Sequence, residues 1–136
     1  SIMSIVVGFL PTPEGAAALE AARREAAAQS ATLVIVNVGS PRHGIHHQEQ
    51  EEANQAAVEQ LEKELRAAGA DFRLVHPVGD YDPAEEILKA AEDPQVELIV
   101  LGLRRRTPVG KMLLGSTAQR VLLQADCPVL AVKANS

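Results

Sequence analysis

The chain's 136 residues allow one compact domain with a real core and are too few for two ordinary ones. A net charge of −5, with two Phe, one Tyr and no Trp, argues against nucleic-acid partners: the whole molecule repels phosphate backbones and lacks aromatic faces for stacking bases. The lone Cys127 excludes an internal disulfide framework and a cysteine-based zinc site; with no apolar run near the ~18 residues of a membrane span and no secretory leader in view, a cytoplasmic soluble domain is expected.

Ser4 to Phe9, SIVVGF, is short, apolar and β-branched, and reads as the first strand. In the LPTPEG that follows, Thr12 suits a helix cap and Pro13 a first helical position, opening an Ala-rich helix from Glu14 to about Gln29. Thr32 to Val38, TLVIVNV, is a second strand, apolar throughout as expected when both faces are covered. The polar GSPRHGIHHQEQEE feeds a helix from roughly Gln48 to Ala68, closed by Gly69. Phe72 to His76, FRLVH, is a third, more polar strand placed near an edge. Asp82-Pro83-Ala84-Glu85 starts another helix, with Asp as cap, Pro first and Glu three residues on. ELIVLGL is the fourth strand, a helix runs from about Thr117 to Gln124, and PVLAVK is the fifth strand.

Strands that alternate with helices need right-handed crossovers and a parallel sheet. The expected fold is a single α/β domain over residues 1–136, an open, mainly parallel five-stranded sheet with helices on both faces. Ligands in such sheets sit beyond the carboxyl ends of the strands, where strand order reverses. Both Phe9 to Glu14 and Gly102 to Ser116 follow strands and lie at that end.

The second of these stretches, GLRRRTPVGKMLLGSTAQ, most resembles a site. It is not a phosphate loop of the G-x-x-x-x-G-K-[ST] kind, because Arg105 stands where the first glycine belongs and Met112 where the hydroxyl belongs. The G-x-G-x-x-G dinucleotide pattern is also missing after the first strand. What remains is S-x-x-Q from Ser116 to Gln119, a capping-box pattern that would put free backbone N–H groups and a positive helix end at Ser116 to Ala118. Gly115 would let a phosphate come close, and Gly102 would free the strand exit of a Cβ. Arg104, Arg105, Arg106 and Lys111 add positive charge, with no Asp, Glu or His between Leu98 and Ala125 to cancel it. The residues alone support two readings equally: an anion site, or a capped helix preceded by a solvated turn.

Over essentially its full length the chain resembles the universal stress protein family. VVGFLPTPEGAAALEAA is similar to that family's first strand and helix. VGDYDPAEEILKAAEDPQVELIVLG is similar to its third helix and fourth strand, and GSTAQRVLLQADCPVLAVK to its C-terminal segment. The resemblance implies an adenine nucleotide alpha hydrolase-like fold, an adenine nucleotide (ATP or AMP) as ligand, and a homodimer joined through the fifth strand, Pro128 to Lys133. Nucleotide-binding members carry G-x2-G-x9-G-[ST]; Gly102 and Gly115-Ser116 match it, while Arg105 replaces the middle glycine. Leu10 stands where those members usually have Asp.

The resemblance carries phosphate contacts to Gly102, Gly115 and Ser116, to which the basic loop and helix start add Arg104, Arg105 and Thr117. The base end would lie on Phe9, Pro11, Thr12 and Val38, beside Asn37. No nucleophile with a base and an orienting group is identifiable, and no metal site is expected. His43, His46 and His47 read as a solvated loop, His76 as structural, and Cys127 as a small buried thiol. Three functions stand open: a cytoplasmic stress-response regulator that binds adenine nucleotide without useful turnover, a ligand-free dimeric interaction protein, and a phosphoryl-transfer enzyme. The third wants a carboxylate and metal beside the phosphates, and the obvious position holds Leu10.

Overall fold

The computed structural model describes residues 3–39, 47–105 and 112–134. Its elements in chain order are β1 (Ser4–Phe9), α1 (Pro13–Gln29), β2 (Thr32–Asn37), α2 (His47–Ala67) and β3 (Phe72–Val75). These are followed by α3 (Pro83–Ala90), β4 (Val96–Arg105), β5 (Met112–Leu113), α4 (Ser116–Gln124) and β6 (Val129–Lys133). Strands β1, β2, β3, β4 and β6 form a parallel sheet in the order β3-β2-β1-β4-β6. This is the expected five-stranded parallel architecture, and the last strand foreseen in the sequence is β6.

One strand was not foreseen. Past Gly102, β4 continues to Arg105 and pairs antiparallel with β5, Arg104 opposite Leu113 and Arg105 opposite Met112. Two residues carry no periodicity, so β5 leaves no sequence signal.

The apolar strands divide their side chains by parity. Ile5, Val7 and Phe9 of β1 pack with Leu33, Ile35 and Val100 against Leu19 and Ala22 of α1 and Val58, Leu61 and Leu65 of α2. Val6, Val34, Val36, Ile99 and Leu101 face the other way, onto Ala84 and Ile87 of α3 and Ala118 and Val121 of α4. Both faces are covered, which is why the strands read as unbroken hydrophobic runs.

Helix ends follow local chemistry. Thr12 caps α1, its Oγ1 accepting from Gly15 N at 3.1 Å, and Asp82 caps α3, its Oδ1 accepting from Ala84 N at 3.0 Å. Both roles were expected. Ser30 ends α1 in the left-handed region at φ 53°, a position the sequence did not mark. After α2, Gly69 takes φ 69°, where a side chain would be strained.

Candidate functional site

Strand order reverses between β1 and β4, and the carboxyl ends of β1, β2 and β4 face the starts of α1, α3 and α4. A cavity of about 370 Å³ opens there, within the usual range for small-molecule sites. Gly8 and Leu10 line it from β1 and its exit, Val38 and Gly39 from the end of β2, and Leu101, Gly102 and Arg104 from β4. Thr12 and Glu14 contribute from α1, Asp82, Pro83 and Ile87 from α3, and Gly115, Ser116 and Thr117 from α4.

Of the expected contacts, Thr12, Val38, Gly102, Arg104, Gly115, Ser116 and Thr117 therefore meet at one cavity. Phe9 and Pro11 do not line it. Phe9 shares the parity of Ile5 and Val7, so its ring is buried in the core on the α1–α2 side. Pro11 is exposed, and Leu10 takes the wall position between them. Asn37 is also withdrawn from the cavity: its amide donates to Phe9 O at 3.3 Å and exchanges hydrogen bonds of 3.0 and 2.8 Å with Asn54 of α2. Arg105 lies in β4, but its side chain is outside the described residues, as are Arg106, Lys111, His43 and His46. His47 opens α2.

The helix start at α4 differs from the sequence reading. Ser116 is its first residue, not its cap; Gly115 holds the cap position at φ −68° and ψ 164° and makes no side-chain cap hydrogen bond. The capping box does not form. Among the described residues the first turn of α4 thus has no side-chain cap, whereas α1 and α3 are closed by Thr12 and Asp82. An ideal Cβ at Gly115 would meet nothing within 4 Å, so space lies open at this end.

Gly102 has a different reason from the one expected. A Cβ there would lie 2.2 Å from Glu14 O, so its small size lets the start of α1 pack onto β4. On the β2 side, the Tyr81 hydroxyl donates to Gly39 O at 3.1 Å and fixes that wall. Burial is the main cause raising the Tyr81 pKa, with the charges of Glu51 and Glu86 adding to it.

The charge of the site is mixed, contrary to the purely basic loop seen in sequence. Among the described lining residues, Arg104 is the cation and Glu14 and Asp82 are carboxylates. Asp82 Oδ2 accepts a hydrogen bond from Arg120 Nη1 of α4, and Arg120 Nη2 donates to Glu85 Oε1 at 3.3 Å. The hydrogen bond to Glu85, then the charge and hydrogen bond of Asp82, hold the Arg120 pKa above its ordinary value. Sequence reasoning missed Arg120, because its partners lie 38 and 35 residues away and no local pattern links them. Cys127 is half-buried and burial raises its pKa, consistent with an unreactive thiol. No group of three or more metal-ligating side chains occurs among the described residues.

The arrangement joins a glycine-flanked, uncapped helix end to an apolar slot between β1 and β2, the two halves needed to hold a small organic anion. A model of the universal stress protein family matches residues 2–133. A universal stress protein of Mycolicibacterium smegmatis is 42% identical over 129 residues, covering 95% of this chain and 96% of that relative. Among solved structures, a universal stress protein from Archaeoglobus fulgidus superposes with a TM-score of 0.76 at 27% identity, covering 98% of this chain and all of that one. A universal stress protein solved in complex with cAMP gives a TM-score of 0.68 at 26% identity over 99% of each chain. The sequence similarity, running nearly end to end, and the superposition on solved structures lead to one conclusion: the chain belongs to the universal stress protein family.

Proposed function

We propose that this protein is a stress-response regulator that binds an adenine nucleotide, AMP or ATP, with the phosphate on the first turn of α4 and the base between Leu10 and Val38. The observation that carries the reading is the α4 start, without a side-chain cap and facing a cavity, in a chain whose other cavity-facing helix starts are capped. The neighbour solved with cAMP supports the same ligand class. Calorimetric titration with adenosine, AMP, cAMP and ATP tests it: at least one phosphate-bearing ligand binds more tightly than adenosine. Silence from all four ends the reading. Release of phosphate from ATP with magnesium or manganese stays flat, because Asp82 is engaged by Ala84 N and Arg120 and no group of three metal-ligating side chains occurs among the described residues.

A second reading, a dimeric interaction protein without ligand, draws on Leu10 and on the carboxylates of Glu14 and Asp82 in the cavity wall. In either case we propose a cytoplasmic homodimer joined through residues 128–133, with neither nucleic acid nor membrane as partner. The net charge of −5 argues against nucleic acid and anionic membrane surfaces as partners, and no described helix is long and apolar enough to cross a membrane.

A further inference from the structure

A carboxylate in the wall of a phosphate site opposes its ligand unless something neutralises it. Two carboxylates line the cavity, Glu14 and Asp82; Asp82 uses both oxygens, Oδ1 capping α3 at Ala84 N and Oδ2 receiving Arg120, whose other nitrogen donates to Glu85 at 3.3 Å. Arg120 lies one turn beyond Ser116 on the helix whose start faces the cavity, and is not itself a lining residue. Both side chains are partly exposed, at 35% for Arg120 and 42% for Asp82, so the pair needs its mutual contact less for folding than a buried pair would.

We propose that Arg120 is a positioning and charge-setting residue of the anion site: by neutralising Asp82 it sets how strongly the cavity favours a phosphate-bearing ligand over the bare nucleoside. The inference rests on the nucleotide reading above. Its consequence is specific to the phosphate. The base end is proposed to lie on the apolar Leu10 and Val38, so its contribution depends little on charge and stays when the pair is broken. A plain mechanical tie between α3 and α4 would instead weaken every ligand alike.

The test measures dissociation constants for adenosine and AMP, in the same moderate-salt buffer, for wild type, R120M, R120K, D82N and the double variant R120M/D82N. The preference for AMP over adenosine falls roughly three- to tenfold in R120M, the scale of one partly screened charge pair, with adenosine affinity little changed. R120K keeps most of the preference because it keeps the charge. D82N raises it, because a carboxylate leaves the cavity wall while Asn caps a helix as well as Asp does. R120M/D82N recovers it. If R120M weakens adenosine and AMP by the same factor, or if the double variant is as poor as R120M, the residue is only a tie and the proposal is overturned. Wild-type protein that prefers AMP while no variant changes that preference overturns this inference alone. Wild-type protein that binds neither ligand removes the nucleotide reading, and this inference with it.

Discussion

Gly102 carries two demands in one residue. It lines the cavity, and its missing Cβ is also what admits Glu14 of α1, whose carbonyl oxygen would stand 2.2 Å from that atom. Substitution by Ala forces α1 away from β4, and overpacking of this kind costs about 1–3 kcal/mol. Urea denaturation of G102A should show that loss; unchanged stability would mean that α1 shifts freely. Tyr81 offers a second test at this scale because it is the sole tyrosine of the chain. Burial raises its pKa above 10.0, so the folded state favours the neutral phenol. The stabilisation this gives is complete below the unfolded value and is lost as pH rises through the folded one. An ultraviolet pH titration should place the phenolate transition above 10.0 in folded protein and back near it in urea; coincident curves would contradict the burial of that wall.

Among the elements, α4 is the one whose chemistry and sequence pull apart. Its S-x-x-Q pattern has the composition of a capping box, yet the helix begins one residue early and leaves Gly115 at the cap. A Ser116→Asp variant separates helix from ligand. A carboxylate in the first turn complements the dipole and steadies the free protein by about 0.3–1 kcal/mol, while repelling a bound phosphate. Thermal unfolding should show an equal or higher midpoint without ligand and no further rise with AMP. A rise as large as that of wild type would place the anion elsewhere.

What could be read beforehand at this level follows from physical range. Strands β1, β2 and β4 and the caps Thr12 and Asp82 are written in three to eight adjacent residues, and all of them form. The misplacement of Phe9 also has a local cause. Alternation along β1 sends Phe9 with Ile5 and Val7 to the α1–α2 side, and gives Gly8 and Leu10 to the cavity. Asp82 and its partner Arg120 come together only through the fold, because contacts across 35 or more residues leave no spacing to detect.

For the whole molecule, the sheet is closed on its faces but not on its β6 side. Among the described strands, β6 pairs with β4 alone, and Leu130 is 39% exposed while neighbouring α4 exposes Leu123 to 77%. An unpaired strand edge beside exposed leucines invites a second copy of itself. Sedimentation should therefore find a dimer, and Leu130→Lys should shift it toward monomer without loss of helical signal. A wild-type monomer across the micromolar range would remove the proposed interface. The cavity lies at the carboxyl ends of β1, β2 and β4, so on the proposed function the monomeric variant should still bind AMP.

The proposed function requires backbone N–H groups at the start of α4 to donate hydrogen bonds to a phosphate. Amide NMR during titration with AMP and adenosine tests that most directly. Large shifts of the Ser116, Thr117 and Ala118 amides are expected with AMP and small ones with adenosine, while Val38 and Gly39 respond to both. Shifts of equal size with the two ligands at 116–118, or none there while AMP binds, would contradict it.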